Sequence, residues 1–129
     1  MPHHSRLAGF IVDCEGGSLG EAAAFWSAAL GLPVIDPDEG GLDRYARLDG
    51  SRHGLHIEVQ KVDHPSRVHL DIESDDIEAE AARLVALGAT EVARPHGGRW
   101  IVLQAPTGQR FCVVRAREAL DASNASAHP

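Results

Sequence analysis

Apolar and polar residues alternate along 7–13: Phe10 and Val12 fall on one side, Gly9 and Ile11 on the other, the two-residue period of a half-buried strand. The period then changes. Leu19, Ala22, Ala23, Trp26 and Leu30 recur at helical spacing, which predicts an alanine-rich helix over 19–30 with that stripe buried. Ser18, with Glu21 three residues on, has capping-box spacing, and Gly31 suits the position just past the end. Three short strands are predicted next, at 33–35, 44–48 and 55–59, separated by turn signals at 36–41 and 49–54. Residues 61–66 read as a linker.

The pattern then starts again. A strand is predicted at 68–72, and Ser74-Asp75-Asp76 caps a helix running through Ile77, Ala81, Leu84 and Leu87 that Gly88 stops. Strands follow at 90–93, 100–103 and 110–114, and the residues from 118, rich in Ala, Ser, Asn and Asp, are expected to fray. Strand, helix and three strands, twice over, is an internal repeat. One half is too short to bury both faces of its sheet. The expected fold class is therefore α+β: two tandem βαβββ modules forming a cupped mixed sheet, helices outside, with a ligand in the concavity. The expected boundaries are one domain over 1–117, with module one at 7–62 and module two at 66–116, then a flexible tail at 118–129.

Composition narrows the partners. Twelve basic against 19 acidic residues give a net charge of −7, and Lys61 is the single lysine. No basic stripe exists to track phosphates, so nucleic acid is not expected as a partner. No apolar run approaches the roughly 20 residues of a membrane helix, and no signal-peptide pattern opens the sequence, so no membrane partner and a cytoplasmic location are expected. Cys14 and Cys112 are too few for a disulfide framework and are expected to stay thiols. His3, His4, His53, His64, His96 and His128 fall in loops or termini and show no metal-ligand spacing.

Several segments together resemble the glyoxalase-like proteins of the vicinal-oxygen-chelate superfamily, which also holds bleomycin-resistance proteins and extradiol dioxygenases. They are Ala24-Phe25-Trp26 with Ala29-Leu30-Gly31-Leu32, then Arg67-Val68-His69-Leu70-Asp71-Ile72, then Ala86-Leu87-Gly88-Ala89. Gly97-Gly98-Arg99-Trp100 and the stretch 105–114 complete the set, so the resemblance covers about 7–115. It implies the fold above, a small-molecule ligand and a homodimer. Metal-dependent members take one ligand from the first and fourth strands of each half. Here His69 occupies the first-strand position of the second half, and placing Phe10 on Ile72 makes Leu7 its counterpart, which cannot bind metal. The fourth strands offer Glu58 and Cys112, the latter where metal-dependent relatives carry Glu.

The resemblance thus implies a small-molecule-binding protein without the full metal ligand set, reaction unassigned and no cofactor expected. The alternative is a metal-dependent lyase, isomerase or dioxygenase of the glyoxalase type, with His69 and Glu58 holding a divalent metal. Glu58 and His69 are the catalytic candidates: the paired carboxylates Glu58 and Asp71 could support acid/base work with His69, since a cavity would push the two carboxyl pKa values apart. Tyr45, His56, Gln60, Asp71, Trp100 and Cys112 are the pocket candidates. Tyr45 and Trp100 each precede a leucine by three residues (Leu48, Leu103); facing inward they would line the cavity, and otherwise they pack beneath the helices.

Overall fold

The two sequence periods become strands packed under helices in a computed structural model that describes all of residues 1–129. The fold is α+β. Its strands are β1 (His3–Cys14), β2 (Val34–Glu39), β3 (Tyr45–Leu48), β4 (His56–Lys61), β5 (Arg67–Ser74), β6 (Thr90–Ala93), β7 (Trp100–Gln104), β8 (Arg110–Arg115) and β9 (Ser126–His128). The helices are α1 (Leu19–Leu30) and α2 (Ile77–Ala86), with short helical turns at Ser51–His53 and Pro95–Gly98. No helix is long and apolar enough to cross a membrane. The chain divides into a central unit, Gly9–His69, and a terminal unit made of Met1–Ala8 and Leu70–Pro129. This division differs from the expected 7–62 and 66–116, because β1 runs back to His3 and its first residues pair within the terminal unit.

In the central unit α1 starts on the expected capping box. The Glu21 amide donates to Ser18 Oγ at 3.1 Å and the Ser18 amide donates to Glu21 Oε1 at 3.2 Å, so two amides that the first turn leaves unpaired are satisfied. Gly31 ends the helix in the left-handed region at φ 69°, which costs glycine nothing. Leu19 and Ala23 are buried, but Leu30 is 40% exposed, so the buried stripe stops a turn earlier than expected. The strands lie in the order β2-β3-β4-β1, with β1 and β4 parallel and the other pairs antiparallel. Alternation sends Val12, Cys14, Ala46, Leu48, Ile57 and Val59 toward α1 as one apolar core.

The terminal unit repeats the pairing: β5 and β8 are parallel, while β8–β7 and β7–β6 are antiparallel. Asp76 caps α2 by accepting the Ala79 amide at 3.0 Å. Ile77, Ala81, Ala89, Ile101, Leu103 and Val113 form its core. The segment from 118 does not lie as the frayed tail expected from its composition. Leu120 is buried, and Ser126–His128 forms β9, antiparallel to His3–Ser5.

Candidate functional site

Because the core of the central unit takes every second residue of its strands, the residues between them share the opposite face. On β1 these are Gly9, Ile11 and Asp13; on β3, Tyr45 and Arg47; on β4, His56, Glu58 and Gln60. Ladder pairing lines them up: Ile11 lies opposite Glu58 and Glu58 opposite Arg47, while Asp13 lies opposite Gln60 and Gln60 opposite Tyr45. Four of the predicted site residues thus meet on one surface. Gln60 Nε2 donates to the Tyr45 hydroxyl at 3.0 Å, and the His56 Nε2–Glu58 Oε1 distance is 2.7 Å.

Glu39 joins this surface from β2. Its carboxyl shares a hydrogen bond with Glu58, and Glu39, His56 and Glu58 place one ligating atom each within 4.8 Å of one another. Burial, then the hydrogen bond and negative charge of Glu58, push the Glu39 carboxyl up to about 7. Near neutral pH the pair therefore holds a proton that two solvated carboxylates would have lost. The sequence signal for Glu39 was masked. Asp36-Pro37-Asp38-Glu39 reads as a turn, yet β2 continues through it as the outer strand of the unit, where the missing proline amide is tolerated.

His69 closes the central unit, and its Nδ1 lies 2.9 Å from Asp13 Oδ2, with Arg67 Nε 3.7 Å from the same oxygen. Asp13 is only 2% exposed. A buried carboxylate against an imidazole nitrogen fixes the ring's orientation and tautomer. Asp13 was not singled out in the sequence, although β1 alternation places it on the face away from α1, where a buried acid is anomalous. Three buried polar atoms on this same face have no protein partner: Asp13 Oδ1, Arg47 Nε and His56 Nδ1.

The other predicted site residues belong to the terminal unit. Asp71 on β5 is buried and lies opposite Cys112 on β8. Trp100 on β7 is half-buried, 4.9 Å from the His96 ring. By register Trp100 corresponds to Tyr45, since Leu103 pairs with Phe111 as Leu48 pairs with Ile57. The same register matches Cys112 to Glu58.

Register also corrects the match of Leu7 to His69. Phe10 lies opposite Ile57 and Leu70 opposite Phe111, so Phe10 corresponds to Leu70 and Gly9 to His69. Counting residues misled because the connections differ: 15–18 separate β1 from α1, but only 75–76 separate β5 from α2. Gly9 is sterically required, since a Cβ there would sit 1.8 Å from the His56 carbonyl oxygen. No ligand side chain fits at this position. With Gly9 and Cys112 at two of the four places, the residues do not fit the four-ligand metal set that the resemblance to metal-dependent members implied.

Comparison with known proteins agrees with this architecture. Residues 9–114 match the family model described as a glyoxalase-like domain. No curated protein sequence matches the chain. Among solved structures, a hypothetical protein from Bacillus halodurans C-125 is similar at 14% identity and TM-score 0.63, covering 91% of this chain and 98% of that one. Methylmalonyl-CoA epimerase from Mycobacterium tuberculosis is similar at 16% identity and TM-score 0.62, over 87% of this chain and 88% of that one. Methylmalonyl-CoA epimerase from Streptomyces coelicolor, in complex with 2-nitronate-propionyl-CoA, is similar at 20% identity and TM-score 0.55, over 86% and 98%.

Proposed function

The chain belongs to the glyoxalase-like domain family, and on that premise we propose that it binds a small organic molecule on the central unit's sheet face opposite α1. There it moves a proton on that molecule, without a four-ligand metal centre. One observation carries this reading: Asp13 Oδ1, Arg47 Nε and His56 Nδ1 are buried without protein partners on one face of one unit. An unsatisfied buried polar group costs about 1–3 kcal/mol, so three together favour a polar ligand that completes them.

The neighbouring side chains supply the chemistry. Glu58, ordered by His56, accepts a proton from an acidic C–H beside a carbonyl. Glu39, which is still an acid near pH 7, supplies a hydrogen bond or proton to the oxygen that gains charge. His69, held by Asp13, is a second group able to carry the proton. The epimerases among the structural neighbours suggest acyl-CoA thioesters as the first probes. A cytoplasmic homodimer belongs to the same reading, and sedimentation of the purified protein checks the dimer.

The test is exchange in deuterium oxide. Acyl-CoA thioesters and 2-oxo compounds are screened for stabilising ligands by thermal shift, and each ligand found is followed by proton NMR. Wild type is expected to wash deuterium into the carbon beside the carbonyl. Glu58→Gln should slow this by about 10²–10⁴-fold while leaving binding in place. Ligands that bind without exchange would reduce the proposal to a binding protein, and absence of any ligand would remove it. Elemental analysis of the same protein, purified without an affinity tag, checks the metal-free part; metal that falls on His69→Ala would restore the alternative of a metal-dependent enzyme.

A further inference from the structure

His3, Glu80 and His128 stand far apart in sequence, yet the terminal unit gathers them into one buried cluster. Glu80 is fully buried on α2 and His3 is 6% exposed on β1, while His128 lies on β9, the strand that pairs with His3–Ser5. His3 Nε2 is 2.8 Å from Glu80 Oε1, and His128 Nε2 is 3.9 Å from the same oxygen. Ser5 Oγ lies 2.8 Å from His128 Nε2. The proton-transfer chemistry proposed above uses none of these groups.

We propose that His3, His128 and Glu80 form a binding site for a divalent transition-metal ion of the zinc type, clasping β9 and β1 onto α2. Two imidazole nitrogens and one carboxylate oxygen, within 4.8 Å of one another, are the donor set such ions prefer over calcium or magnesium. The spacing also fits. A tetrahedral ion with bonds of about 2.0–2.2 Å separates its ligand atoms by about 3.4 Å, midway between the two distances observed. Small opposite shifts of the two rings would therefore seat the ion. The outer partners are already in place: His3 Nδ1 meets the Met1 carbonyl oxygen at 2.8 Å, which turns Nε2 toward Glu80. Arg83 donates from its NH2 group to Glu80 Oε2 at 2.7 Å, a contact that a single bond from Oε1 to metal leaves intact. Its second contact, Nε to Oε1 at 2.8 Å, must be shared with the ion. Ser5 Oγ or water would complete the four positions.

The probe is cobalt(II), which reports tetrahedral nitrogen and oxygen ligation by visible absorption, titrated into chelator-treated full-length protein that carries no histidine tag. One cobalt per chain is expected, displaced by zinc, with zinc also raising Tm. His3→Gln and His128→Gln should each weaken cobalt binding by about 100-fold and abolish the zinc-induced rise, whereas His4→Gln should change neither. His128 is only part-buried on a terminal strand, so its variant keeps the test valid even where His3→Gln fails to fold. Folded wild type that takes up no cobalt at millimolar concentration overturns the site, and so does cobalt bound equally well by His128→Gln. Neither outcome touches the exchange activity on the central unit, so the two proposals stand or fall separately.

Discussion

At the scale of single residues, the strand period shows which candidate side chains share a face and says little about their electrostatics. Alternation alone places His56, Glu58 and Gln60 together, because Ile57 and Val59 must meet α1. It could not place Glu39, because Pro37 and the acidic run around it mimic a turn, nor couple His69 to Asp13, because that contact spans 56 residues. Glu39 has a measurable signature. Its folded carboxyl titrates near 7 against an ordinary value of 4.5, so between those values the folded state holds more proton than the unfolded chain. Stability should therefore fall as pH rises from about 4.5 to 7 and then level off, a trend that Glu39→Gln should flatten; urea midpoints across that range check both. Gly9 gives a steric prediction. Gly9→Ala drives a methyl into the His56 carbonyl and should destabilise by about 1–3 kcal/mol or prevent folding, read from the denaturation midpoint.

At the scale of elements, the helix ends were the most legible feature. Ser18, Glu21 and Gly31 act as their spacing predicts, because capping is a local exchange of hydrogen bonds that needs no tertiary partner. Ser18→Ala should cost about 1 kcal/mol in equilibrium unfolding and leave the proposed exchange reaction unchanged. β9 was illegible for the opposite reason. Three residues show no period, and what orders them is β1, more than 120 positions away. The histidines at 3 and 128 lacked metal spacing on the same account: sequence spacing reports ligands carried on one element, and these come from three.

At the scale of the whole molecule, the order of strands and helices led to the α+β class, and each unit contains one parallel and two antiparallel pairings, but the residue-by-residue match between them was not legible. Unequal connections after β1 and β5 shift the count, and only ladder pairing shows that Gly9, not Leu7, answers to His69. Composition could not show that β1 serves both units, handing Met1–Ala8 to the terminal unit and the rest to the central one. That division orders events during synthesis. Residues 3–5 are made before the central unit and their partners at 126–128 after it, so that stretch of β1 waits unpaired while the central unit, contiguous in sequence, has all it needs to close. Slowing translation between the codons for residues 70 and 126 would therefore lengthen the time during which His3–Ser5 is exposed to chaperones and proteases.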